Sequence, residues 1–217
     1  MKIYLQTCDR IEYTKQVIAS VDKHVVGCYE KYYADDASQN KEMAPMLEQH
    51  GWEPLFLNKE RQGVASTRKR AVVELAQRCG RDEEIVFLEN DTPIVRQFYT
   101  TKVSRLLDFC SVIRLYGHYW DSKQAFKTED RTKWSDGWVT RWEPISILGE
   151  DLEFGRARWQ HPPSVVKVSF ALKMIANAGE YVDERYLQRQ EIRDITFRPI
   201  ENWTDHIGIE TTEDKKR

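Results

Sequence analysis

The chain has no CxxC pair, no membrane-length apolar run and almost no net charge, and each lack closes off a class of function. Cys8, Cys28, Cys79 and Cys110 stand far apart. That spacing fits neither a zinc site nor a disulfide framework, so reduced cytosolic thiols are expected. No apolar run approaches the roughly 20 residues needed to cross a bilayer. Met1-Lys2-Ile3-Tyr4-Leu5 turns polar too soon for a secretory signal. The expected location is therefore cytoplasmic, without stable membrane association. Thirty-three Lys and Arg face 35 Asp and Glu, which argues against a broad charge-driven nucleic-acid surface but leaves room for a local groove. There is no internal repeat and no low-complexity linker. What remains is 217 residues, 41% hydrophobic and 31% charged, the balance of one soluble domain large enough to bury a core.

The first half alternates in kind. Strand-like segments are read at Lys2 to Gln6, Val25 to Ala34, Trp52 to Leu57 and Glu84 to Glu89. Helical spacing is read at Ile11 to Lys23, Glu42 to His50 (ended by Gly51) and Ala65 to Cys79 (ended by Gly80). Such alternation predicts an α/β domain with a mainly parallel central sheet flanked by crossover helices. In such sheets ligands bind at the carboxyl ends of the strands. The polar stretches Thr7 to Arg10, Asp35 to Ser38, Asn58 to Arg68 and Glu89 to Asp91 would all gather at that edge. The second half is less regular. Gln97 to Phe109 reads as a helix, Ser111 to Tyr116 and Ser164 to Leu172 as strands, and Lys173 to Ala178 as a short helix. Between Gly117 and Pro163 lie Trp120, Trp134, Trp138, Trp142 and Trp159. Residues 1–95 and 96–212 read as two halves of one domain, with 213–217 a frayed tail.

The run Ile85-Val86-Phe87-Leu88-Glu89-Asn90-Asp91-Thr92-Pro93 carries the most chemistry. A buried strand leads straight into two carboxylates spaced i, i+2, which extended backbone points to one side. Glu89 and Asp91 are thus placed to grip one hard cation, Mg²⁺ or Mn²⁺, which takes oxygen ligands and substrate phosphates. The plain alternative is a solvated acidic turn.

Motif order then brings a resemblance. Thr7-Cys8-Asp9-Arg10 is similar to a T-x-x-R after the first strand, and Asp35-Asp36-Ala37-Ser38 to a D-D-x-S after the second. Asn58 with Gly63, Ala65 and Arg68 matches a later Asn/Gly/Arg segment. Glu89-Asn90-Asp91 stands where a D-x-D is expected. Gly179 to Tyr186 looks like a G-x-F-D-E-x-F segment, and His206-Ile207-Gly208 like a closing H-x-G. Together these resemble the family 2 nucleotide-sugar glycosyltransferases of the GT-A fold, over about the whole chain.

The resemblance implies a metal-dependent transferase moving a sugar from a nucleotide diphosphate donor to a hydroxyl acceptor. It implies that Thr7, Arg10, Asp35 or Asp36, and Arg68 hold the nucleotide. Glu89, Asp91 and His206 would hold Mn²⁺ or Mg²⁺. The expected acidic pair carrying the base falls on Glu191-Ile192, so the base is read as Glu191 or Asp194. Trp120, Trp138 and Trp142 lie where family members build the acceptor site. The acceptor is read as a glycan or small molecule, with a hydroxymethylated DNA base second. Two rivals stand beside this reading. A nucleotidyltransferase would open with a Gly-rich phosphate loop, which Thr7 to Arg10 lacks. A non-catalytic nucleotide-sugar-binding module is suggested by Ile192.

Overall fold

The computed structural model describes residues 1–116, 142–157, 163–177, 194–205 and 207. Four strands, β1 (Lys2–Thr7), β3 (Glu30–Asp35), β4 (Glu53–Leu57) and β5 (Glu84–Glu89), lie parallel in the order β4-β3-β1-β5. Helices α1 (Ile11–His24), α2 (Met43–Gln49) and α3 (Val64–Cys79) cross between them. The sheet continues through β10 (Ser164–Lys167), β7 (Val112–Arg114), β11 (Asp194–Pro199), β9 (Glu150–Ala157) and β8 (Glu143–Ile147) to nine strands. β10 runs antiparallel to both its neighbours, and β11 runs parallel to β7.

The strands of the first half are apolar on both faces because helices cover both. Ile3, Leu5, Val86 and Leu88 pack on one side with Val17, Ile18 and Val21 of α1. Tyr4, Phe87 and Ile85 pack on the other with Ala71, Val72 and Leu75 of α3, and with Ala171 and Met174 of α5 (Val168–Asn177). Tyr4 and Phe87 meet edge to face at 5.6 Å between centroids.

β8, β9 and β11 are not among the strands read in the sequence, and three boundaries differ from the pattern read there. The expected strand Val25 to Ala34 breaks into β2 (Val25–Val26) and β3, because Gly27 turns the chain at φ 118°. A Cβ there would stand 2.1 Å from the Thr100 hydroxyl, so only glycine fits. Freed from β3, β2 pairs in parallel with β6 (Phe98–Tyr99), which takes the start of the helix expected from Gln97. The helix itself, α4, covers Thr100–Leu106. The apolar run from Ser164 is a strand only to Lys167. There Val168 N and Ser169 N donate to Glu83 O and Arg81 O at 2.8 Å each, which starts α5. A short apolar run does not distinguish strand from buried helix.

The outer strand β4 is protected. Arg78 donates to Pro54 O at 3.2 Å and to Leu55 O at 3.0 Å.

Candidate active site at the carboxyl edge of the sheet

Strand register sets the site. Thr7 pairs with Asp35, Asp35 with Leu57 and Gln6 with Glu89, so β1, β3, β4 and β5 end level at one edge. The predicted residues Thr7, Arg10, Asp35, Asp36, Arg68, Glu89 and Asp91 all meet there.

The turn after β1 is sharply bent, with Asp9 and Arg10 both left-handed at φ 52° and 53°. Three side chains secure it. Asn90 donates to Cys8 O and Asp9 O at 3.3 and 3.4 Å, and Asp9 N donates to Ser38 Oγ at 2.7 Å. Arg61, from the loop before α3, forms an ion pair with Asp9 across the β3 loop. Burial pushes the Cys8 thiol up, beyond its pull from Arg61, so it stays protonated; it donates to Asp36 O at 3.3 Å.

The carboxylates of the second motif are largely filled by neutral donors. Asp35 accepts from Thr7 Oγ1 and Ser38 N at 2.8 Å each and from Ser38 Oγ at 2.5 Å. Asp36 accepts from Gln62 N at 2.8 Å, and from Asn58 Nδ2 and Gly63 N at 2.9 Å each. Asp36 therefore fastens the start of α3 to the end of β3. Burial by itself would raise the Asp36 carboxyl. The donors from Gln62, Asn58, Thr67 and Gly63 outweigh it and hold the group below the ordinary carboxylate range. Gly63 contributes through its φ of 85°, since a Cβ there would meet nothing within 4 Å.

The acidic motif is held differently. Arg68, on α3, donates from Nη2 to Glu89 Oε1 at 2.8 Å, and Arg10 from Nη1 to Asp91 Oδ2 at 2.7 Å. Glu89 and Asp91 thus each carry an arginine. Thr92 closes the turn, its hydroxyl 2.9 Å from Glu89 N and 3.0 Å from Glu89 O. Among the described residues no group of three or more His, Cys, Asp or Glu is gathered to hold a metal ion. Asp205 N and Ile207 N donate to Pro93 O and Asp91 O at 3.0 Å each. His206 lies outside the described residues, as do Glu191, Trp120 and Trp138.

Two further predicted residues are placed elsewhere. Asp194 opens β11, whose pairing with β7, and through β10 with β5, sets Thr196 level with Ile85. The Asp194 backbone therefore lies at the amino edge of the sheet, about 20 Å along the strands from the Glu89 end at ~3.3 Å per residue. Trp142 precedes β8 and is half-buried. Its ring faces the guanidinium of Arg198 at 4.0 Å and that of Arg114 at 5.4 Å, both arginines being buried.

Beside the site a cleft of about 400 Å³ opens between the β3 and β4 loops, lined by Asp35, Ser38, Lys41, Leu57, Asn58 and Lys59 among others. The supporting residues Asn58, Asn90, Ser38 and Arg61 were not singled out for these contacts by spacing. Ser38, Asn58 and Asn90 stand in the motifs that carry the resemblance, whereas Arg61 is marked only by its place in the stretch Asn58 to Arg68.

This arrangement, with parallel strands delivering acidic loops to one edge and a mixed sheet beyond, is the GT-A-type fold of nucleotide-sugar glycosyltransferases. The chain matches no protein-family model and no curated protein in sequence. In structure it is similar to residues 1–349 of S. aureus TarS, with a TM-score of 0.57 and 12% identity over 98% of this chain and 62% of that one. For the longer TarS chain the TM-score is 0.55, with 12% identity over 94% of this chain and 36% of that one. A mannosyltransferase from Pyrobaculum calidifontis gives 0.54 at 10% identity, over 93% of this chain and 55% of that one. The chain thus spans between about a third and three fifths of these proteins' lengths. TarS 1–349 is known in complex with UDP and with UDP-GlcNAc, and the mannosyltransferase in complex with GDP-Man and Mn²⁺. No helix among the described residues is long and apolar enough to cross a membrane.

Proposed function

We propose that the protein is a glycosyltransferase that moves a sugar from a nucleotide diphosphate donor to a hydroxyl acceptor. The observation that carries this reading is the meeting of Thr7, Asp35, Asp36, Arg68, Glu89, Asp91 and Arg10 at the carboxyl edge of a GT-A-type sheet. Residues 1–95 serve as the donor half and 96–212 as the acceptor half. Asp35 reads the base: it lines the cleft, and three donors leave one of its roughly four acceptor positions for a base N–H. Asp36 acts as a structural anchor. Arg10 and Arg68 contact the diphosphate, for which guanidinium forks are well shaped.

The donor set suits a divalent cation in its chemistry, since Glu89 and Asp91 offer hard oxygens at the end of one strand. His206 is the third ligand in this reading, supported by the bonds of its neighbours Asp205 and Ile207 to Pro93 and Asp91. Mg²⁺ or Mn²⁺ bound there would stabilise the charge on the departing diphosphate. Glu191 is assigned as the base that takes the acceptor hydroxyl proton. The opposite-edge position of Asp194 argues against the alternative. The acceptor is a glycan or hydroxylated small molecule, with a hydroxymethylated DNA base as second choice, held in part by Trp120 and Trp138, since the Trp142 ring already stacks on Arg198.

A thermal-shift screen of nucleotide diphosphate sugars, each with and without Mn²⁺, tests the reading. A Mn²⁺-dependent rise in Tm is expected, because ligands of the native state stabilise it by mass action. Shifts from nucleoside triphosphates, with none from sugar nucleotides, would replace it by nucleotidyl transfer. Glu191→Gln should lower turnover on the order of 100-fold or more with donor affinity unchanged. Wild-type turnover in that variant would remove Glu191 as the base.

A further inference from the structure

The turn after β1 holds two residues in succession in a conformation that side chains disfavour. Asp9 and Arg10 are left-handed at φ 52° and 53°, where Cβ crowds the following carbonyl oxygen. Such a pair persists only where its surroundings over-determine it. From the β3 side, Asp9 N donates to Ser38 Oγ at 2.7 Å, and Gln39 N donates to Asp9 Oδ1 at 2.8 Å. Further along, Tyr13 N and Thr14 N donate to Arg10 O at 3.1 Å each, which starts α1.

Asn90 adds a hold from the acidic motif. The residue is buried, and its amide nitrogen donates to Cys8 O at 3.3 Å and to Asp9 O at 3.4 Å. Both targets are acceptors, so the position calls for a donor. Those two carbonyls belong to the peptide planes on either side of Asp9, and each plane is rigid. Gripping both, with the helix start fixing Arg10 O, sets the backbone rotation at Asp9 and Arg10. Asn90 itself stands in a turn closed by Thr92 N on Glu89 O at 3.2 Å. The motif therefore works in two directions. Its outer carboxylates end at the donor edge, while its middle amide holds the turn from which Arg10 reaches Asp91 at 2.7 Å.

We propose that Asn90 is a positioning residue for donor binding, keeping the left-handed turn that aims the Arg10 guanidinium at the diphosphate. The proposal rests on the donor-site reading above and adds to it a residue whose amide bonds to the turn instead of to the donor. Without Asn90 the turn can relax toward right-handed backbone, and the Arg10 side chain then departs in another direction. Binding lost through Asn90 is thus binding that Arg10 supplies.

Calorimetric titration of the full chain with UDP, GDP, CDP and ADP, each with Mn²⁺ present, tests this in a double-mutant cycle. Asn90→Ala should weaken the nucleotide that binds on the order of tenfold, and so should Arg10→Ala. With Arg10→Ala already in place, Asn90→Ala should cost less than about twofold more, because no guanidinium is left to aim. A residue that merely stabilises the edge predicts the same loss in both backgrounds. Asn90→Leu keeps the bulk without a donor and should give the same pattern. It carries the cycle where circular dichroism shows Asn90→Ala unfolded. Equal losses in the two backgrounds, or wild-type affinity in the Asn90 variants, would overturn the positioning role while leaving the donor site standing. No binding of any of the four nucleotides by the wild type would overturn the transferase reading together with it.

Discussion

Two acidic pairs stand on one edge of the sheet, and they are held by opposite means. Asp35 and Asp36, at the end of β3, accept from hydroxyls, amides and backbone N–H groups that belong to the fold. Glu89 and Asp91, at the end of β5, are held by guanidinium groups reaching from α3 and from the first turn. Neutral donors fixed in the backbone cannot leave without breaking the turn that presents them. Long arginine side chains can swing away at small cost to the backbone. The first pair therefore builds the edge, and the second is available to a ligand.

Substitutions can break this contrast. The largest stability effect is expected for Asp36→Ala. It strips three donors at the start of α3 of their acceptor, at a cost of about 3 kcal/mol, or a fall in Tm of roughly 6–12 °C for a chain of this size. A Tm within about 2 °C of wild type would show that α3 is fastened by other means.

Asp91→Ala should behave in the reverse way. Its freed partner Arg10 is 40% exposed and can relax into water, so Tm should change by less than about 1 kcal/mol equivalent, while Mn²⁺ ceases to affect donor binding. A persisting Mn²⁺ effect would remove Asp91 from the metal site.

The anchor also has a pH signature. Because the folded Asp36 pKa is depressed, its contribution is present above the unfolded value, near 4, and is lost as pH falls through the lower folded value. Asp36→Asn should therefore flatten the acid limb of Tm against pH below about 4. An unchanged limb would assign acid unfolding to other carboxylates. The smallest effect is expected for Gly63→Ala, where φ 85° disfavours a side chain but space is open, a loss of about 1 kcal/mol by thermal melting.

Much of this fold is legible in the sequence. The β5 strand runs from Glu84 to Glu89 as its apolar pattern indicates, and alternation of strand and helix implied that four polar loops would share an edge. Legibility ended where pairing across long separations decides the outcome. Arg10 and Asp91 are 81 positions apart, Arg68 and Glu89 are 21, and nothing in the spacing says that each carboxylate meets an arginine. Asp194 sits close in sequence to the family-like base segment, yet the direction of β11 carries its backbone to the far edge. Strand direction is a property of the assembled sheet, not of the six residues that form the strand. The break at Gly27 likewise depends on Thr100, which approaches it only after folding.

Arg78 has a consequence for how these molecules meet one another. The β4 margin is where a passing strand from another molecule would add to the sheet. Pro54 offers it no N–H, and the carbonyls of Pro54 and Leu55 are already taken. A strand adding at this margin would therefore find Pro54 without a donor and two carbonyls occupied, which disfavours extension there.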